Sequence, residues 1–166
     1  AFMLGACVIA SFFGGLIGGT AVAMGSGVPW LGAALTWWAG DALGVLVMAS
    51  PILLWPIQSA LLRRRPWETA MVLVVTGGLS VGTFWTAVPP TVLILPVLAW
   101  AAFRLDMLGA ATAGAVAAFL ANIMTAHGHG LFLGADISPR GEVALTQLYV
   151  AGIVVFAMLI AQEAAA

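Results

Sequence analysis

Charged side chains are scarce in this chain, and lysine is absent altogether. Only 7% of the 166 residues are charged, against about 25% in ordinary soluble domains. The formal net charge is -1, so the chain lacks the basic surface that nucleic-acid binding requires. This composition excludes an ordinary soluble protein, and we expect no nucleic-acid partner.

Cysteine and grouped metal ligands are equally scarce. The single cysteine, Cys7, lies in an apolar run and cannot form a disulfide within the chain. His127 and His129 supply two imidazole ligands, and the nearest acids, Asp136 and Glu142, follow in a polar loop. For the histidines we favour a helix cap or an exposed loop over the alternative of metal binding or pH sensing. We predict no metal site and no cofactor.

No residues in the sequence have the arrangement of a catalytic site. Ser50 has no histidine within reach on its own helix, so it lacks the base that would activate a nucleophile. Paired carboxylates at membrane depth and a glycine-rich phosphate loop are missing as well. The run Arg63 to Arg65 is better explained as a topology signal and a contact for lipid phosphates than as a catalytic site. We predict that this chain is not an enzyme.

Hydrophobic residues dominate what is present, at 63% of the chain. A spanning helix needs about 20 mainly apolar residues, and glycines, prolines and charges divide the chain into six such stretches. The predicted helices cover residues 2–24, 31–62, 69–88, 91–105, 107–126 and 143–162. Pro51 and Pro56 predict a kink in the second helix. The fold class is therefore an all-α integral membrane protein, a single bundle of about six transmembrane helices over residues 1–166.

The arginines predict how this bundle is oriented. Arg63, Arg64, Arg65 and Arg104 fall on one side of the predicted membrane, and only Arg140 falls on the other. Because arginine-rich short loops stay in the cytoplasm, the Arg63 to Arg65 loop and both ends of the chain are expected there. Membrane lipids are the first expected partners.

Glycines spaced four residues apart indicate close helix packing. The pairs are Gly14 with Gly18, Gly15 with Gly19, Gly40 with Gly44, and Gly78 with Gly82. We favour packing inside the bundle, with a dimerisation face as the alternative. Other membrane helices are thus expected partners, in a homodimer or in a larger membrane complex.

One carboxylate, Asp41, interrupts the apolar run of residues 37–55. A charged side chain in hydrocarbon costs about 2.5 kcal/mol or more and usually marks function, although a purely structural acid is the alternative. The arginine bias puts Asp41 in the outer third of the membrane. Residues predicted at the same depth are Trp38, Trp85, Asn122 and Gln147. They form either an outward-opening, ligand-binding pocket or separate hydrogen bonds between helices. Arg104 belongs to the opposite end, where Asp106 or lipid phosphates are its expected partners.

Three segments together resemble one family. WWAGDALGVLVMASPILLW resembles the Trp, Gly-Asp and Leu-Gly signature of the type-one MASE domain, a membrane-associated sensor of bacterial histidine kinases and diguanylate cyclases. PVLAWAAFRLDMLGA and ALTQLYVAGIVVFAMLIAQE resemble a later segment of that domain and its last helix. The positions that match the family pattern are Trp38, Gly40, Asp41, Gly44, Pro51, Trp100, Arg104, Gly109 and Gln147.

The resemblance implies a sensory function in a bacterial inner membrane. The family domain is similar to an eight-helix bundle, so we expect this chain to be the C-terminal part of a larger sensor domain. Our leading hypothesis is a sensory input module whose pocket around Asp41 passes a signal through helix 143–162 to a cytoplasmic output. An accessory or assembly subunit of a larger complex is the first alternative, and a transporter or channel is the second.

Overall fold

The fold is seen in a computed structural model that describes residues 5–86, 91–132 and 139–164, and within these ranges all regular structure is helical. The helices are α1 (Ala6–Ser26), α2 (Trp30–Arg64), α3 (Pro66–Thr86), α4 (Thr91–Ala126) and α5 (Pro139–Ala164). All five are long and apolar enough to cross a membrane. The all-α membrane class is confirmed. The predicted end of the third helix at residue 88, and Asp136, lie outside the described ranges.

Helix α4 consists of two helices that meet at Asp106, as the sequence predicts. The backbone of Asp106 has φ 61° and ψ -168°, which is not helical. A Cβ atom built on Gly109 would lie 3.3 Å from the carbonyl oxygen of Ala101. Residues eight apart in a straight helix are separated by about 12 Å, so the chain must turn back on itself at Asp106. The predicted helices 91–105 and 107–126 are therefore confirmed as separate segments.

Two side chains cap the second of these segments. The Oδ1 atom of Asp106 accepts a hydrogen bond from the backbone N–H of Met107 at 2.8 Å. The Oε1 atom of Gln58, from α2, accepts one from the backbone N–H of Leu108, also at 2.8 Å. The first N–H groups of a helix have no partner within the helix, so both contacts satisfy donors that would otherwise be unpaired. Gln58 thereby ties α2 to the turn in α4.

The chain divides into two compact units, Ala1–Ser50 and Pro51–Ala166. The boundary falls inside α2, at Pro51. Helix α2 nevertheless continues through Pro51 and Pro56 up to Arg64. The two prolines therefore do not end the helix, and Pro51 marks the place where one unit gives way to the other.

In the first unit, α1 and the beginning of α2 form a hairpin that glycine makes possible. A Cβ atom built on Gly15 would lie 2.9 Å or less from backbone atoms of Trp38, and one built on Gly19 would overlap the backbone of Ala34. Only glycine permits two helix backbones to approach so closely. The prediction of internal packing is confirmed for α1, whereas Cβ atoms built on Gly44, Gly78 and Gly82 would meet nothing within 4 Å.

In the second unit, α4 packs against both α3 and α5. Its buried face is built largely from alanine, with Leu98, Leu105 and Leu108 as the largest fully buried side chains of this helix besides Ile94. Gly114 of α4 approaches Val154 of α5, since a Cβ atom on Gly114 would lie 3.1 Å from a methyl carbon of Val154. Small residues on α4 thus set the spacing of its neighbours.

The strained backbone of Asp106 yields a prediction about two substitutions. A non-glycine residue in this region of φ and ψ costs about 1–3 kcal/mol, and both Asp106→Gly and Asp106→Ala remove the cap on Met107. We expect the glycine variant to have the higher Tm, by an equivalent of about 1 kcal/mol or more. Inside a regular helix the order is the reverse, with alanine better by about 0.5–1 kcal/mol. Thermal unfolding in one detergent measures the order, and an alanine variant as stable as the glycine variant would contradict it.

The close approach of α1 and α2 yields a second prediction. Gly19→Ala forces a methyl group into the backbone of Ala34, and we expect a loss of about 1–3 kcal/mol of stability. Gly32→Ala is the matched control in the same hairpin, because a Cβ atom there meets nothing within 4 Å. The control is expected to gain about 0.5–1 kcal/mol, since alanine favours the helix. Thermal unfolding of both variants is the measurement, and equal effects would contradict the packing.

Candidate functional site

Asp41 lines an open groove within the first unit. The groove has a volume of about 420 Å³ and is lined by Ala10, Ser11, Gly40, Asp41, Gly44 and Val45. Residues 10 and 11 come from α1 and the others from α2, so the groove is formed by the hairpin itself. Asp41 is partly buried. Because Gly40 and Gly44 have no side chains, they leave the groove open beside the carboxylate.

Two features of α1 position the part of α2 that carries Asp41. A Cβ atom built on Gly14 would lie 2.5 Å from Oδ2 of Asp41, so the carboxylate occupies space that only glycine leaves free. At its start, α1 has a π-helical turn, Ala6–Ala10. The backbone carbonyl of Val8 in this turn accepts a hydrogen bond from the indole Nε1 of Trp38 at 3.1 Å. Trp38, predicted to bind ligand, thus uses its N–H group to hold the hairpin together.

Ser11 is the residue of this groove that the sequence analysis missed. Its side chain is buried, with 4% of its surface exposed, and its Oγ has no hydrogen-bond partner in the part of the chain that the structure describes. Buried polar groups normally have partners. The register of α1 against α2, set by Gly15 on Trp38 and Gly19 on Ala34, brings Ser11 to the same groove as Asp41. A lone serine in an apolar run carries no signal of that register.

Asp41 is also the sole charged residue of the first unit. Residues 1–50 contain no other aspartate and no glutamate, lysine, arginine or histidine. A carboxylate that is withdrawn from water is normally paired with a cation. Within this unit no side chain can supply the positive charge.

The other predicted ligand-binding residues lie in the second unit. Asn122 is exposed, and its Nδ2 donates to the carbonyl of Ala118 in its own helix at 2.8 Å. Trp85 is exposed and stacks on His129, with ring centroids 4.3 Å apart. Gln147 is partly buried on α5, next to the buried Thr146. That these three share one pocket with Asp41 and Trp38 stays a prediction.

The histidines lie at the end of α4. The backbone N–H of His129 bonds to the carbonyl of Met124 at 2.9 Å, and that of Gly128 bonds to Thr125 at 3.1 Å. With Gly128 at φ 77°, these bonds form the glycine-based cap that commonly ends helices. The Nδ1 atom of His127 lies 2.9 Å from the carbonyl of Ile123. The predicted helix-cap role is therefore confirmed for this segment.

Arg104 has a different partner from the one predicted. Its Nη2 and Nε donate to the two carboxylate oxygens of Glu68 at 2.8 and 3.1 Å, and Arg65 approaches the same carboxylate at 3.4 Å. Asp106 was the wrong choice because the turn directs its carboxylate to the backbone N–H of Met107. Proximity in sequence misled here, whereas the return of α4 towards the start of α3 brings Glu68 close.

The remaining residues that match the family pattern lie at the groove, at the unit boundary or in α4. Gly40 and Gly44 line the groove, and Pro51 begins the second unit. Gly109 is buried where the two segments of α4 cross, and Trp100 is partly buried on the first of them. These positions thus coincide with the groove, the unit boundary and the turn.

Comparison with known proteins identifies the chain. The family model MASE1 matches residues 1–163. The chain belongs to the MASE1 family. No curated protein and no solved structure matches it. MASE1 is a membrane-associated sensory domain, and membership of this family supports a membrane sensor role for the chain.

The charge on Asp41 yields a prediction for this MASE1 domain. Asp41→Asn keeps the side-chain shape and removes a charge that has no partner in its unit. We expect the Tm of the ligand-free protein to rise, by about 2–4 °C for each 1 kcal/mol relieved. Thr36→Val is the matched control on α2, because the hydroxyl of Thr36 bonds only to the carbonyl of Gly32 among the described residues. A fall in Tm would instead identify Asp41 as a residue that holds the helices in register.

Proposed function

We propose that this MASE1 domain is a signal-input module whose ligand-binding site is the groove around Asp41. The observation that carries the proposal is the partly buried carboxylate of Asp41, which lines an open groove in a unit without any cationic side chain. Maintaining such a site costs stability, and proteins retain that cost where function requires it. A stable scaffold alone would be served better by an apolar residue at position 41.

The proposed orientation places this groove towards the outside of a bacterial inner membrane. In the second unit, Arg65 and Arg104 converge on Glu68 at one end. Trp85 and His129 stack at the other end. This separation supports a cytoplasmic end that carries Arg63 to Arg65 and the C-terminus, because arginine marks the cytoplasmic side and aromatic residues favour the interfaces.

The proposed signal passes along α2 to α4 and then to α5. Helix α2 carries Asp41 and, without a break in the helix, Gln58. Gln58 holds the backbone of Leu108 directly after the strained turn at Asp106. Strained residues of this kind often lie at switch regions. Helix α4 packs closely on α5, so a change at the turn reaches the helix that leads to a cytoplasmic output.

A ligand can drive this change only by binding one arrangement of the helices better than the other. The proposal therefore requires that the groove differ between the signalling states.

Two alternatives remain distinct from this proposal. Gly78 and Gly82 have open space on α3, which favours an accessory role in which another membrane helix packs there. A transporter would instead use Asp41 to carry an ion across the membrane.

The test of the proposed function is the output of the full-length protein carrying Asp41→Asn. We expect the stimulus response of a downstream kinase or cyclase, measured as phosphorylated protein or cyclic dinucleotide, to fall at least tenfold, because the removed charge would contribute more than about 1.4 kcal/mol to binding. Thr36→Val is expected to respond like the unmodified protein. An unchanged response in Asp41→Asn across stimuli would exclude a role for the groove, and loss of ion flux in proteoliposomes would favour the transporter.

A further inference from the structure

Four of the five arginines lie at one end of the second unit. The run Arg63 to Arg65 follows directly on α2, and both Arg65 and Arg104 approach the carboxylate of Glu68, with N to O distances of 3.4 and 2.8 Å. The arginine cluster comprises Arg63, Arg64, Arg65 and Arg104 together with Glu68. Even with Asp106 and Glu163 counted at this end, the arginines leave it with a net positive charge.

The ion pairs leave many donors of the arginine cluster unused. A guanidinium group has five N–H donors in a planar fork, whereas Arg104 uses only Nε and Nη2 for Glu68, and Arg65 uses only Nη1. The two side chains remain 49% and 39% exposed, so their other donors can be reached from outside. Arg63 and Arg64 are exposed and have no hydrogen bond or ion pair within residues 5–86, 91–132 and 139–164. This arrangement favours an anion with several acceptor oxygens, as a phosphate group has.

Exposed apolar side chains lie directly beside these charges. Trp67, which precedes Glu68, is 86% exposed, and Phe103, which precedes Arg104, is 67% exposed. Helices α2, α3 and α4 are all long and apolar enough to cross a membrane, so the cluster lies where their apolar surfaces end. Aromatic side chains at such a boundary favour the headgroup region of a bilayer. A ligand that fits this surface has an anionic headgroup and hydrocarbon chains.

We propose that the arginine cluster binds the phosphate group of an anionic phospholipid. The guanidinium groups donate hydrogen bonds to the phosphate oxygens, and Trp67 and Phe103 lie against the hydrocarbon next to the headgroup. A zwitterionic lipid fits less well, because its ammonium group brings a further positive charge to the arginines. This site is separate from the groove around Asp41, so the inference does not rest on the proposed function.

Glu68 has a defined part in this site. Its carboxylate holds the guanidinium group of Arg104 through two hydrogen bonds and also approaches Arg65. The same carboxylate offsets one of the positive charges, and it competes with the phosphate for donors. Removal of its charge should therefore strengthen lipid binding, whereas an ion pair with only a structural role would leave lipid binding unchanged.

In the first arm of the test, the full-length protein in dodecyl maltoside is titrated with phosphatidylglycerol or with phosphatidylcholine of the same acyl chains. A ligand that binds only the folded state raises the Tm with its concentration. We expect phosphatidylglycerol to raise the Tm and phosphatidylcholine to have little effect. The combined variant Arg63→Gln with Arg64→Gln is expected to weaken the apparent Kd for phosphatidylglycerol about 25-fold, or about fivefold for each arginine.

Arg140→Gln is the matched control, because it removes one arginine at the opposite end of the unit. Arg140 lies in the first turn of α5, and Thr146, six residues later, contacts Thr125 near the end of α4. The control is expected to bind phosphatidylglycerol like the unmodified protein. Glu68→Gln is expected to bind it about fivefold more tightly, since one further positive charge becomes available.

The second arm distinguishes a lipid from a soluble phosphate. The protein is titrated with inorganic phosphate without added lipid, against sodium chloride of the same ionic strength. We expect no saturable rise in Tm with phosphate, because only the lipid also contacts Trp67 and Phe103. A saturable rise that is lost in the variant of Arg63 and Arg64 would identify a soluble phosphate as the ligand and overturn the lipid proposal.

The proposal is also overturned if phosphatidylglycerol and phosphatidylcholine shift the Tm equally. It fails as well if Arg140→Gln weakens binding as much as loss of one arginine of the cluster, since the attraction would then belong to the whole protein. Arg104→Gln is a further variant of the site, but loss of its ion pairs can prevent folding. The variant of Arg63 and Arg64 decides in that case, because these two side chains hold no other described residue.

Discussion

Inside a membrane, every polar group must find its partner within the protein, because hydrocarbon offers none. Among the residues that the structure describes, many side-chain hydroxyls meet the requirement locally, by donating to the carbonyl four residues earlier in the chain. The hydroxyls that do so belong to Thr20, Ser26, Thr36, Ser50, Thr69, Thr86, Thr112 and Thr125. Asn122 does the same with its amide. A polar residue that departs from this pattern needs another explanation.

Four buried hydroxyls depart from it in the described part of the chain. Thr76, Ser80 and Thr83 share one face of α3, and Ser11 lies in α1. Ser11 differs from the other three because it lines the same groove as Asp41. An unpartnered hydroxyl alone indicates little.

The sequence was sufficient for the features that depend on local chemistry. Six apolar stretches predicted the helices. The charged residue Asp106, between two apolar stretches, predicted the turn in α4 correctly, because a charge interrupts an apolar helix at its own position in the sequence. The glycine pairs of α1 predicted close packing for the same reason. The family resemblance was separate evidence, because three segments in order are harder to match by chance than one.

What the sequence did not disclose depends on register between helices. Ser11 becomes important only when Gly15 and Gly19 fix which residues of α2 it faces. Glu68 becomes the partner of Arg104 only because the first segment of α4 runs back to the beginning of α3. Depth in the membrane, read from sequence, ranks residues along one axis. It does not say which sides of two helices meet, and for that reason Asp106 was chosen wrongly.

The two units satisfy their polar groups in different ways. The second unit is held at one end by Arg65, Arg104 and Glu68, and at the other by the stack of Trp85 on His129. The first unit is a glycine-packed hairpin with an unpaired charge. Because a site with unsatisfied groups lowers stability locally, it is best placed where few other contacts depend on it. Helix α2 continues from Asp41 to Gln58, whose side chain accepts a hydrogen bond from the backbone directly after the strained turn.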